Sequence, residues 1–321
     1  MIIDTLTSPI ILFFALGMFA GFVRSDLAIP EAIAKGMAIY LMAAIGLKGG
    51  VEVSKSGLTD ALLFAGAAGV ALSFLLPYPA YSLLRSIGRL DRTNSAAVAA
   101  HYGSVSLVTF ITANEMLALS GLTAAGFMVA VLALMETPAI ISGLLLARRG
   151  GQGNGTDGSS SKAQLWREVL LNASVVLLVG AFVIGIVAGE KGFAPIEPVF
   201  DTGYKGILCL FLLDMGLIAA RRLRETRSMT LRLASLAIAL PLVNGLIGVV
   251  LGTLIGLDTG TAALLGVLTA SASYIAVPAA MRLALPAADP GIYLSMSLGI
   301  TFPFNIVVNI ALIASVARMI G

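Results

Sequence analysis

Two short stretches of this chain carry residue types that could do chemistry in an otherwise apolar sequence. The first is Gly103-Ser104-Val105-Ser106, and the second is Ser271-Ala272-Ser273. Each places a Ser-x-Ser pair in the middle of a run long enough to cross a bilayer. Paired hydroxyls beside Gly103 or Pro278 at that depth predict a helix that breaks mid-span. Broken backbone survives there only where it is buried in protein or lines a wet cavity. The first turn of a half-helix starting at such a break offers unsatisfied N–H groups and the positive end of the helix dipole, which favour an anion. Gly103 is expected to permit the turn and a close backbone approach, while Ser104, Ser106, Ser271 and Ser273 add hydroxyl donors. These serines could equally back-bond to their own helices or join helix pairs.

Further candidates flank the breaks. Glu136 lies deep in an apolar run directly before Thr137-Pro138, where a carboxylate costs at least ~2.5 kcal/mol on insertion scales. It is read as a ligand or proton acceptor for a coupling cation, or as one half of an ion pair with Lys35. Thr109, Ser271, Thr301, Asn305 and Asn309 offer neutral oxygens suited to Na+ and also to ordinary hydrogen bonds between helices. Asp214 lies nearer the end of its run and reads as structural. His101, the one histidine, precedes Ser104 by a helical turn. A Ser–His pair acts as nucleophile and base only with suitable geometry and an oxyanion hole; nothing else here resembles a membrane hydrolase, and no enzyme is predicted. One histidine and one cysteine, Cys209, exclude a His or multi-Cys metal cluster and an intrachain disulfide.

The elements that must position these residues are membrane helices. Hydrophobic residues make up 58% of the chain, charged residues 12%, and mean hydropathy is +0.99, against roughly 25% charged in soluble domains. The 321 residues divide into about ten spans of roughly 20 residues. They are placed near 9–24, 29–47, 58–84, 95–118, 122–147, 166–189, 198–220, 230–255, 260–285 and 291–318. The first run has no basic n-region before it and is expected to be a retained helix rather than a cleaved signal. The net charge of +3 does not point to nucleic acid, because the basic residues lie in loops between spans. Arg24, Arg85, Arg92, Arg148, Arg167, Arg221, Arg232 and Arg282 fall on one face; Lys48, Lys55, Lys191, Lys205 and Arg318 fall on the other. The positive-inside rule makes the first face cytoplasmic and puts both termini outside.

The polar segment 150–165, rich in Gly and Ser, reads as a flexible cytoplasmic linker between two halves, 1–149 and 166–321. Five spans per half give the halves opposite orientation. Three pairs support a duplication: Gly46 with Gly216, Ser104 and Ser106 with Ser271 and Ser273, and Pro138 with Pro303. Gly17 and Gly21 read as helix-packing positions, and Pro77 as a kink or helix end.

The run from Ile29-Pro30-Glu31 to Ile45-Gly46-Leu47-Lys48-Gly49-Gly50 resembles the opening of the cyanobacterial sodium-dependent bicarbonate transporter family. Gly-Ser-Val-Ser, Met135-Glu136-Thr137-Pro138-Ala139 and the stretch from Ala270 to Arg282 follow in the same order. The resemblance implies ten helices in a five-plus-five inverted repeat, a homotrimer, and bicarbonate held where the fourth and ninth helices cross, with Na+ coupling and no other cofactor. Carried over by position, the anion site is Gly103, Ser104, Val105, Ser106, Ala272 and Ser273. Tyr274 stands where cyanobacterial members have Asp, and Glu136 where they have Asp; the phenol adds a donor and changes the cavity. The linker is shorter than the cytoplasmic loop of cyanobacterial members, which weakens the inference of a PII-like regulatory partner. The expected function is uptake of a small anion by alternating access, bicarbonate through the resemblance. A Na+- or H+-coupled symporter of another small anion, such as a carboxylate, is the alternative, and a channel is a third reading.

Overall fold

The computed structural model describes residues 7–57, 59–148, 173–225 and 229–321. The linker lies outside them. The described residues form helices and no strand. In chain order these are α1 (Pro9–Phe22), α2 (Glu31–Ser56), α3 (Asp60–Leu75), α4 (Pro77–Ser86), α5 (Arg92–Gly103), α6 (Leu107–Leu119), α7 (Met128–Glu136) and α8 (Pro138–Arg148). After the linker come α9 (Ala173–Phe193), α10 (Tyr204–Glu225), α11 (Leu231–Leu254), α12 (Thr259–Ala270), α13 (Ala276–Ala284) and α14, which runs with two widened turns over Pro290–Ile320.

Seven helical segments among the described residues are long and apolar enough to cross a membrane. They include the pairs α3–α4, α5–α6 and α7–α8, each read through its kink or break. The chain is therefore a multi-pass membrane protein. The other expected spans fall on α1 and α12, which are shorter apolar helices, and on α10. Lys205, Asp214, Arg221, Arg222 and Arg224 give α10 more charge than a plain lipid-facing span carries.

Caps set the helix starts. Asp91 accepts Asn94 N at 2.9 Å to open α5, and Asp258 accepts Thr261 N at 3.0 Å to open α12. Thr59 and Thr230 do the same for α3 and α11. Pro77 stops α3 and starts α4, as a proline at the first helical position does. The helix α2 continues to Ser56, a little over two turns past its expected end. Gly49 and Gly50 stay helical because neighbouring helices press on them, and Lys48 is paired with Asp201 beyond α9.

Glycine lets two helix pairs touch backbone to backbone. A Cβ on Gly17 of α1 would lie 2.1 Å from Leu213 O of α10, and one on Gly216 of α10 would lie 2.3 Å from Phe14 O of α1. The second pair repeats this: a Cβ on Gly50 of α2 would lie 2.0 Å from Phe182 O of α9, and one on Gly185 of α9 would lie 2.3 Å from Leu47 O of α2. Small residues at such crossings allow the close approach on which membrane helices depend. Gly46, the residue paired with Gly216 in the sequence, packs on α9 one turn before Gly50, and a Cβ there would lie 2.8 Å from Leu178 O.

The two breaks and their surroundings

Both Ser-x-Ser stretches are non-helical, and they meet. Helix α5 ends at Gly103; Ser104 and Ser106 are extended, with φ/ψ of −87/176° and −111/113°, and α6 starts after Ser106. Helix α12 ends at Ala270, Ser271 is extended at −78/161°, and α13 starts at Ala276. Two hydrogen bonds cross between them: Ser106 N donates to Ser271 Oγ at 2.9 Å, and Ser273 N donates to His101 O at 3.0 Å. Each break thereby satisfies backbone that the other leaves open. Ser104, Val105, Ser106, Ser271, Ala272 and Ser273 are all buried.

The hydroxyls are already engaged. Ser106 Oγ caps α6, accepting Thr109 N at 3.2 Å and Thr109 Oγ1 at 3.0 Å. Ser271 Oγ donates to Leu268 O at 2.7 Å while it accepts Ser106 N. Ser104 Oγ donates to Glu136 O at 3.2 Å, and Ser273 Oγ accepts Val277 N at 3.4 Å. The first N–H groups of α6, on Leu107 and Val108, have no acceptor within their own helix, as at any helix start. What converges at the crossing is thus the start of α6, capped by Ser106, and the extended stretch that leads into α13, whose own N-cap, Ile275, offers no side-chain acceptor.

Gly103 permits a close approach of backbone, here to the α3–α4 kink. Its φ is negative, so no left-handed turn requires it. A Cβ there would lie 2.4 Å from Pro77 Cγ and 2.8 Å from Ser73 O, so Gly103 lets the end of α5 pack into the α3–α4 kink.

The Ser104–His101 pairing needed for hydrolysis does not form. His101 Nδ1 lies 2.7 Å from Ala97 O, its ring stacks on Tyr293 with centroids 4.6 Å apart, and Ser104 Oγ faces Glu136 O instead. Glu136 ends α7, its side chain is half-buried, and among the described residues its carboxylate has no cation or hydrogen-bond donor. The expected alternative partner, Lys35, is exposed and pairs with Glu31 at 2.8 Å. Tyr274 packs edge-on against Phe302, with ring centroids 5.4 Å apart. Its buried hydroxyl lies beside Ser106 without a hydrogen bond of good geometry.

The neutral oxygens tie helices together. Thr301 Oγ1 donates to Ala237 O at 2.6 Å and lies 2.7 Å from Tyr102 OH, joining α14 to α11 and α5. Asn305 Nδ2 donates to Ala270 O, the last carbonyl of α12, at 2.9 Å. Among the described residues no group of three or more His, Cys, Asp or Glu could hold a metal ion.

A cavity of about 570 Å³ lies along α6 from Ala118 to Phe110, a turn from Ser106, and is walled by α2, the 123–126 loop and the 201–205 turn. Lys48, Glu52, Glu115, Asp201 and Lys205 give it its charge, and Asn114 adds a neutral amide. Lys205 Nζ is 3.3 Å from Glu115 Oε2, linking α10 to α6, and Glu115 itself is buried. Sequence reasoning missed this pair. The available signal was two opposite charges, each inside a different apolar run.

Residues 9–318 match the model of the Na+-dependent bicarbonate transporter superfamily, and the chain belongs to that superfamily. Among curated proteins none matches it. Membership makes the chain a transporter rather than an enzyme, with Na+ and bicarbonate as the solutes that the superfamily's description names.

Proposed function

We propose that this member of the Na+-dependent bicarbonate transporter superfamily takes up a small anion, bicarbonate, by sodium-coupled symport and alternating access. The observation that carries the reading is the crossing of the two breaks through Ser106–Ser271 and Ser273–His101. Two helix N-termini brought together in buried surroundings favour a negative charge without a fixed cation, so the anion can also leave. Gly103, Ser104, Val105, Ser106, Ala272, Ser273 and Tyr274 surround the proposed anion position. Glu136, Thr109, Ser271, Thr301 and Asn305 are the proposed cation-coupling set. Na+ there adds positive charge where the anion must bind, and so raises its affinity.

The proposed architecture is ten crossings in two inverted halves. Reciprocal contacts support it. Ala125 N, just before α7, donates to Thr261 Oγ1 at the start of α12 at 2.9 Å; Asp289 N, just before α14, donates to Asn94 Oδ1 at the start of α5 at 2.7 Å. The paired glycine contacts of α1 with α10 and of α2 with α9 repeat in the same sense. By the positive-inside rule the termini face outward in the cell membrane, and the 570 Å³ cavity opens on that side. A homotrimer follows from the resemblance alone.

The runner-up is a Na+- or H+-coupled symporter of another small anion, and Tyr274 favours it, because a phenol beside Ser106 narrows the space and adds a donor. Competition decides between them: unlabelled formate or acetate at tenfold excess should leave labelled bicarbonate uptake intact, and strong inhibition would favour the carboxylate.

A further inference from the structure

On α14 the helix widens over Asn305–Asn309, where Ile310 N reaches back five residues to Asn305 O. Such widened turns are frequent at functional sites. Asn309 Nδ2 donates to Asn305 Oδ1 at 2.8 Å and to Pro241 O at 3.4 Å. Those two acceptors fix the orientation of the amide, since a flip would set its oxygen against two other oxygens. Asn309 Oδ1 therefore points elsewhere. The residue is 1% exposed, and among the described residues this oxygen has no donor. An oriented, buried amide oxygen without a partner is costly at membrane depth, so something must satisfy it. The groups that can do so are a hard cation or a trapped water. The second half of the pair leads to the crossing: Asn305 Nδ2 holds Ala270 O, and the next residue, Ser271, takes Ser106 N.

We propose that Asn309 Oδ1 is a ligand of the coupling sodium ion and that Asn305 transmits its occupancy to the break after Ala270. This rests on the sodium-coupled reading above. A cation drawing on Asn309 Oδ1 fixes the Asn309–Asn305 pair, and Asn305 in turn fixes the end of α12, so that sodium binding orders the anion position without contacting the anion.

The test is thermal unfolding of the purified full-length protein in detergent, with NaCl titrated against choline chloride or KCl at constant ionic strength. A ligand that binds only the folded state raises the midpoint by mass action. The wild type should show a saturable rise with Na+ and none with K+ or choline. Asn309→Leu, similar in size but without the oxygen, should lose that rise. Asn309→Asp keeps an oxygen, adds charge and loses the Nδ2 donor to Asn305 Oδ1 and Pro241 O, so its half-saturating Na+ should shift severalfold. Retention of the wild-type response in Asn309→Leu, or an unchanged half-saturating concentration in Asn309→Asp, overturns the assignment and leaves sodium coupling standing, with water as the occupant. A wild type that does not respond to Na+ overturns both.

Discussion

Ser106 N donates to Ser271 Oγ at 2.9 Å, so a serine at the break of one half closes the backbone at the break of the other. Ser271→Ala leaves a buried N–H without an acceptor, which costs about 1–3 kcal/mol. A lowered unfolding midpoint together with loss of uptake is expected. Ser273→Ala should be milder in stability, because its crossing bond comes from the backbone N and its Oγ accepts only Val277 N at 3.4 Å. Equal midpoints for the two variants would speak against this division of roles.

Glu136 separates cost from use. A half-buried carboxylate without a cation among the described residues contributes nothing to folding that a neutral amide could not. Glu136→Gln should leave the unfolding midpoint equal or higher and reduce sodium-driven uptake at least tenfold. If uptake survives intact, the residue is not part of the cation path.

The glycine contacts are steric, and substitution sorts them. Gly17→Ala and Gly216→Ala place a methyl within 2.1–2.3 Å of backbone oxygen across α1 and α10. Both should cut the yield of monodisperse protein on size-exclusion chromatography. Gly180→Ala and Gly206→Ala meet nothing within 4 Å and should behave as wild type. A monodisperse Gly17→Ala would show that the two helices are farther apart than described.

Glu115 and Lys205 form an ion pair that is buried on one side and open on the other. Lys205→Met strands the buried carboxylate and should cost about 1–3 kcal/mol, between the values for exposed and buried pairs. Adding Glu115→Gln should restore most of it. Chemical denaturation of the two single variants and the double variant gives the coupling energy, and strict additivity would mean that the pair contributes nothing.

The breaks were legible because a hydroxyl pair beside Gly103 or Pro278 recurs inside a long apolar run in each half of the chain. The helical class followed from composition. What sequence could not supply was the partner surface. Nothing in the chain shows that Pro77 lies against Gly103 or that Phe182 O presses on Gly50. Lys205 and Glu115 looked like unrelated charges in separate runs, since their pairing exists only once α10 lies beside α6. The serine hydroxyls were expected as donors to an anion; Ser104 and Ser271 donate to backbone carbonyls, while Ser106 and Ser273 accept backbone N–H groups and keep their O–H protons, because a broken helix must first satisfy its own backbone.

The most direct measurement is uptake of labelled bicarbonate into proteoliposomes of the purified protein, with and without an inward sodium gradient. Empty liposomes at the same pH correct for CO2 permeation. Uptake above the blank that requires the gradient, and that Ser271→Ala and Glu136→Gln abolish, is the expected result. Wild-type vesicles that accumulate no more bicarbonate than empty ones under any gradient would contradict sodium-coupled bicarbonate transport by this chain.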